Sequence, residues 1–224
     1  MVSTTHVFSS KGDVAYFEVR HRILSGELPA GSRVAQYELA SELSMSITPI
    51  REALRRLSSE GLVTVDAHRD VRVAGISADE GRQLFEIRLA LEPEATALAA
   101  ARHTSDELEA MRLAASRLLP VTRQWGEAAI QAHSAFHRSV YAASGNEAMI
   151  RMLDDLWAKS DRYRRAGLQL PDGAEPRDVD HRQHLELLEL IERRDAEAAS
   201  ALARRHIAES LTSSVLHKLA TPTD

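Results

Sequence analysis

The chain has no cysteine among its 224 residues, so disulfides and thiolate metal sites are excluded. It has no apolar run of the roughly 20 residues that span a bilayer. Its opening, "MVSTTHVFSSKGD", has neither the basic n-region nor the apolar h-region of an export signal, and a soluble, cytoplasmic protein is expected. Repeats, low-complexity stretches, an HExxH motif and a nucleophile elbow are also missing. What remains is a chain long enough for one large domain or two small ones, with a core that needs no metal or disulfide.

Charge is unevenly placed. The net charge is −5, yet residues 1–76 hold nine basic and nine acidic side chains, against 19 and 24 in the remainder. An acidic total argues against a nonspecific, histone-like DNA binder but permits one basic face on the first part. The stretch "MSITPIREALRRLSSEGLV" (Met45 to Val63) supplies that face, because it sets Arg51, Arg55 and Arg56 on a helix.

The patterning divides the chain at about residue 76. Val14, Phe17, Val19, Ile23 and Leu24 recur near helical spacing, and "GELPAGSR" breaks the run with Gly26, Pro29 and Gly31. "VAQYELASEL" reads as a short helix and "SMS" as a turn. Thr48 with Pro49 reads as the N-cap and first-turn proline of a helix that buries Ile50, Ala53, Leu54 and Leu57 and stops at Gly61. "LVTV" and "VRV", separated by "DAHRD", form a hairpin. Helix, helix, turn, helix, hairpin is the order of a winged helix-turn-helix over residues 1–76. Arg51 and Arg55 lie one turn apart opposite the apolar stripe, where both can enter a DNA groove. The competing reading makes them solvated charges partnered by Glu52 and Glu60.

Residues 77–224 read as all-helical, with segments near 78–103, 105–118, 123–144, 147–168, 177–194 and 195–219. Ser77 with Glu80, and Thr104 with Glu107, have capping-box spacing. "GLQLPDGAEP" is the clear loop, and Pro93 is a point where the first long helix can kink. The fold class is therefore mostly α: a winged helix-turn-helix followed by a helical bundle.

The stretch "GELPAGSRV…ELASELSMSITPIREALRRLSSEGLV" resembles the winged-helix domain of GntR-type bacterial transcription regulators. With "IRLALEPEATALAA" and "AFHRSVYAASGN" downstream, the layout resembles the FadR branch, which carries an FCD effector-binding domain. The likeness covers about Asp13 to Leu219. It implies a ligand-responsive regulator, not an enzyme, acting as a homodimer on a palindromic double-stranded DNA operator. Carried over by position, Ser46, Thr48 and Arg51 would meet DNA at the recognition helix, beside the Arg55 that helical spacing sets one turn on, with His68 and Arg69 on the wing. Arg to guanine is the commonest base contact, which favours Arg51 as the reader. Two positions depart from the family. Ile47 stands where a basic residue is usual, and Asp70, a carboxylate that phosphates repel, stands where the wing carries Gly.

Ten histidines are present, and "HSAFH" sets His133 and His137 four apart on one helical face. That spacing can chelate a metal and also arises by chance. His181, His184 and His206 lie further on, and bundle cores are where facing helices bring such groups together. The resemblance to metal-binding FCD domains implies His137, His184 and His206 as ligands, with His181 the rival of His184. His133 occupies the position of the family's Asp. A set of imidazoles without thiolate suits a divalent transition metal, Zn or Ni above all. Arg88 matches an arginine that FCD domains aim at a small carboxylate effector. Its alternative is a surface bridge to Glu92, one helical turn away. Asn146 matches the family but reads as a helix-end residue. Two other readings remain: a metal-dependent enzyme on the bundle, and a regulator that senses the metal itself.

Overall fold

The computed structural model describes residues 10–66, 70–122, 124–168, 178–210 and 215–216. The chain divides into two compact units, Met1–Ile76 and Ser77–Asp224.

The first unit is built from α1 (Lys11–Leu24), α2 (Gln36–Glu42), α3 (Ile47–Ser59), β1 (Val63–Val65) and β2 (Val71–Val73). Ser10 caps α1, its hydroxyl accepting from the Asp13 amide at 3.1 Å. Phe17, expected on the apolar stripe of α1, is instead 37 % exposed, and Ala15, Tyr16, Val19 and Ile23 form the buried face. They pack with Ile50, Ala53, Leu54 and Leu57 of α3 and with the inward residues of the hairpin.

Helix α3 starts two residues earlier than the sequence suggests, at Ile47. Ser46 is its N-cap residue, without a side-chain capping bond, and Pro49 falls inside the first turn. The four N-terminal amides of a helix have no intrahelical partner, so a proline costs no hydrogen bond anywhere in that turn. At the other end Gly61 takes φ 73°, its amide bonding to Ser58 O while the Leu62 amide bonds to Leu57 O at 2.9 Å. This left-handed closure turns the chain into β1. β1 and β2 pair antiparallel, Thr64 opposite Arg72. The other edge of β2 carries the segment around Arg33, which bridges Arg72.

Among its described residues the second unit's regular elements are all helices: α4 (Ala78–Arg102), α5 (Ser105–Ala115), α6 (Gly126–Ala142), α7 (Glu147–Leu168), α8 (Asp178–Glu192) and α9 (Ala196–Ala208). Small side chains let α4 and α9 approach closely: Ala95, Ala99 and Ala100 face a core that includes Ala199, Leu202 and Ala203. The capping box at Thr104 and Glu107 is complete. At Ser77 only half forms: its hydroxyl accepts from the Glu80 amide, while the Glu80 carboxylate accepts from Tyr163 OH at 2.9 Å. Asn146 Oδ1 accepts from the Met149 amide at the start of α7, the helix-end role expected of it. Among the described residues no helix is long and apolar enough to cross a membrane.

Candidate functional site

Two separate constellations hold the residues singled out from the sequence. The first is on the winged helix. Ser46, Thr48, Arg51 and Arg55 are exposed on α3 and its N-terminal turn, while Ala53, Leu54 and Leu57 of the same helix are buried. Ile47 turns toward the core, so no basic group stands there. A cleft of about 340 Å³ runs between α3 and the hairpin, lined by Gln36, Arg51, Leu54, Arg55, Val65 and Val71. A second of about 330 Å³ joins Arg51 to Gln36, Tyr37, Arg33 and Asp70. His68 and Arg69 lie outside the described residues.

The third arginine of that helix has a different place. Arg56 Nη1 meets Asp13 Oδ1 at 2.9 Å, and its guanidinium carbon lies 3.8 Å from the centroid of the Tyr16 ring. The Tyr16 hydroxyl donates to Glu60 Oε1 at 2.7 Å. Burial, with the hydrogen bond to Glu60, raises the Tyr16 phenol to about 12. Glu60 is therefore engaged with α1, and among the described residues no ion pair holds Arg51 or Arg55. The repulsive carboxylate read at Asp70 is paired as well: Arg33 and Arg72 both contact it.

The second constellation lies inside the helical unit. α6 contributes His133 and His137, α8 contributes His184 and α9 contributes His206. All four are buried, each with one ring nitrogen within 4.8 Å of those of the others. His137 Nε2 and His184 Nε2 are 3.0 Å apart. Nitrogens sharing one ion at bond lengths of about 2.0–2.1 Å lie roughly 3–4 Å apart, so small side-chain rotations suffice to fit this set to one ion. His181, the rival of His184, is exposed on α8 and stays out of the cluster.

The partners around the cluster orient it. The Tyr141 hydroxyl donates to Glu92 Oε2 at 2.6 Å and lies 3.2 Å from His137 Nδ1, leaving that nitrogen to donate and Nε2 free to bind. His206 Nδ1 lies 2.8 Å from Gln183 Oε1, which it can reach only as a donor, so its proton sits on Nδ1. Gln183 Nε2 donates to Glu209 at 2.7 Å, which fixes the amide. His133 Nδ1 is buried with no hydrogen-bond partner. Burial, with the Arg164 guanidinium next, pushes His133 well below the usual histidine range. For His137 burial is followed by the neighbouring imidazoles, and His184 is pushed down to about 3 by burial and Arg164. These three rings are neutral near pH 7, the form that carries a lone pair for a metal.

Arg88 is not the surface bridge that its spacing allowed. It is 1 % exposed, and its Nε donates to Glu92 Oε1 at 2.5 Å. Its Nη1 is buried without a partner, as is Trp157 Nε1. Trp157 ties the groups together: its ring lies 4.7 Å from that of His137, with the Arg88 and Arg164 guanidiniums 5.0 and 4.3 Å from its centroid. Asp161 pairs with Arg164 and accepts from Ser134 Oγ at 2.9 Å. Sequence reasoning passed over Trp157, Tyr141, Gln183 and Arg164. The usable signals were Tyr141, one turn after His137, and charges at buried positions of α7, where Asp161, Arg162 and Arg164 all lie under 9 % exposed.

An exposed arginine-bearing helix beside a two-stranded hairpin defines the first unit as a winged helix-turn-helix, here joined to an all-helical unit. The comparisons carry this further. Residues 11–73 match "Bacterial regulatory proteins, gntR family", and residues 83–209 match "FCD domain". The HTH-type transcriptional repressor GlaR of Escherichia coli (strain K12) is 30 % identical over 203 residues, 86 % of this chain and 90 % of that protein. The HTH-type transcriptional regulator BphR of Paraburkholderia xenovorans (strain LB400) is 31 % identical over 212 residues, 89 % of this chain and 83 % of that one. In fold, E. coli McbR/YncC superposes with a TM-score of 0.77 at 23 % identity, over 95 % of this chain and 99 % of that chain. The chain belongs to the GntR family of DNA-binding transcription regulators, of the type that carries an FCD domain, and is not an enzyme.

Proposed function

We propose that this regulator's operator affinity is controlled by a small carboxylate bound in the helical unit, at a divalent metal held by His133, His137, His184 and His206. The supporting observation is the convergence of those four buried imidazoles with Arg88, whose Nη1 is buried and unbonded. An ion there would supply positive charge for an anionic ligand, and Arg88 would supply a fork for its carboxylate. The donor set, four nitrogens with neither sulfur nor carboxylate, favours Zn or Ni over Mg or Ca. Ser46, Thr48, Arg51 and Arg55 then meet DNA, and a cytoplasmic homodimer supplies two winged helices to the halves of a palindromic operator. The effector shifts DNA affinity only by as much as it prefers one arrangement of the protein over the other.

The test is metal content by mass spectrometry, wild type beside His137→Ala, followed by operator binding with a panel of metabolic carboxylic acids. Near-stoichiometric Zn or Ni that the variant loses, together with one acid that changes DNA affinity, is the expected result. A metal-free wild type, or a full panel without effect, overturns it. One observation favours a second reading, direct metal sensing. His133 replaces a hard carboxylate by an imidazole, which tunes the site toward late transition metals. Chelation alone would then change DNA binding.

A further inference from the structure

We propose that Asp70, Arg33 and Arg72 form a clamp for the phosphate backbone of duplex DNA, in which Asp70 positions the two arginines. This rests on the reading of α3 and the hairpin as the DNA-facing surface. Arg33 and Arg72 are opposite one another across the outer edge of β2. Like charges in that relation destabilise a sheet unless a counter-charge stands beside them. Asp70 is two residues before Arg72, hence on the same face. It contacts Arg33 through Oδ1 and Arg72 through Oδ2, the latter at 3.4 Å. The Asp70 amide donates to Asp66 Oδ1 at 2.9 Å, which holds the carboxylate's backbone in place.

What sets this trio apart from an ordinary surface ion pair is which edge of each guanidinium is used. Asp70 meets both arginines at Nε. Neither Nη of Arg33 has a partner among the described residues, and Arg72 uses only Nη1, for Gly31 O at 3.4 Å. The arginine side chains stay 73 % and 56 % exposed while Asp70 is only 22 % exposed. The acid is tucked behind and the forks point outward. An incoming phosphate therefore meets the Nη ends first, on the side away from the carboxylate. Arg33 and Asp70 line the same cleft as Arg51, which places the clamp beside the recognition helix.

Two effects of Asp70 oppose each other. Its charge repels phosphate through water, a term screened by salt over about 10 Å at 0.1 M. Its grip removes rotamer freedom from two long side chains before DNA arrives, freedom that binding would otherwise have to remove. The side-on geometry makes the second effect larger. The unfavourable wing carboxylate of the sequence thus becomes an aiming device.

The experiment measures binding of the full-length protein to a fluorescent duplex pool of mixed sequence across a salt series, since backbone contacts act on any sequence. Arg33→Ala and Arg72→Ala should each weaken binding and flatten the slope of log affinity against log salt by about one. Asp70→Asn should weaken binding several-fold and flatten the slope too, less than additively with Arg33→Ala. A role confined to sheet stability would lower the melting temperature and leave the slope alone. Tighter or unchanged binding by Asp70→Asn overturns the proposal. Should that variant be unfolded at the assay temperature, Arg33→Lys/Arg72→Lys decides. It keeps both charges but lacks an Nε edge, so weaker binding supports the clamp and wild-type binding overturns it. Arg51→Ala and Arg55→Ala run alongside. If they weaken binding while the Arg33 and Arg72 variants do not, the clamp fails and the DNA face stands. If none of the four weakens it, the DNA face itself fails.

Discussion

His137 and His184 point their Nε2 atoms at each other across 3.0 Å, and the tautomer of His137 is set from behind by Tyr141. Tyr141 is itself committed to Glu92, so its oxygen is left to accept from His137 Nδ1. Removing that hydroxyl leaves all four imidazoles but frees the ring to rotate and change tautomer. Tyr141→Phe should therefore lower metal affinity about 10- to 100-fold, as loss of a supporting partner does elsewhere. Competition with a chromogenic chelator measures it. Equal affinity in the variant would mean that the ring is held by packing against Trp157 instead.

The Arg88–Glu92 pair makes a contrast between single and double substitution. Both side chains are 1 % exposed, so Arg88→Met leaves a buried carboxylate facing one tyrosine hydroxyl and no cation within the pair. Breaking a buried pair from one side costs about 3–5 kcal/mol, whereas replacing both partners with apolar groups of similar volume is often near neutral. Arg88→Met should lower stability in urea by that order, and Arg88→Met/Glu92→Leu should recover much of it. Loss of effector response in the stable double variant then reports on Arg88's recognition role and not on folding.

Acid should unfold the metal-stripped protein through the same cluster. Burial holds His133, His137 and His184 below the unfolded value of about 6.5, with His184 near 3. Between those limits the unfolded chain binds protons that the folded chain refuses. Stability is thus fully present above about pH 6.5 and falls as pH drops, by about 1.4 kcal/mol per unit for each such histidine. Denaturation of EDTA-treated protein at pH 7, 6 and 5 should show that decline, and His184→Gln should make it shallower. A flat profile would place the rings in contact with water.

Local rules carried much of the fold. Gly61, the Thr104–Glu107 box and the two β-branched runs each specify their structure within a few residues, and the spacing of His133 and His137 follows from helical periodicity alone. What could not be read lies in long-range pairing. Tyr141 meets Glu92 across 49 positions of sequence, and Asp70 meets Arg33 across 37, which turned an isolated unfavourable carboxylate into a paired one. Trp157 gives no hint in the chain that it lies under two guanidiniums and an imidazole. The start of α3 was misplaced because Thr48-Pro49 satisfies the statistics of a helix start, whereas the amides of the whole first turn tolerate proline.

Arg51 and Arg56, five residues apart on one helix, should separate recognition from stability. Arg51 is exposed toward both clefts of the winged helix and unpaired among the described residues. Arg51→Ala should cost about 1–3 kcal/mol of operator binding and relax preference at one base pair. Arg56 is folded onto Tyr16 and Asp13, where a cation–π contact and a partly exposed ion pair each contribute up to about 1 kcal/mol. Arg56→Ala should therefore lower the melting temperature slightly while leaving the selected sequence unchanged. Selection from a randomised duplex library with each variant reads both effects. The assignment fails if Arg51→Ala selects the wild-type sequence with undiminished stringency, or if Arg56→Ala relaxes it, because the reading arginine would then be one that the fold holds against α1.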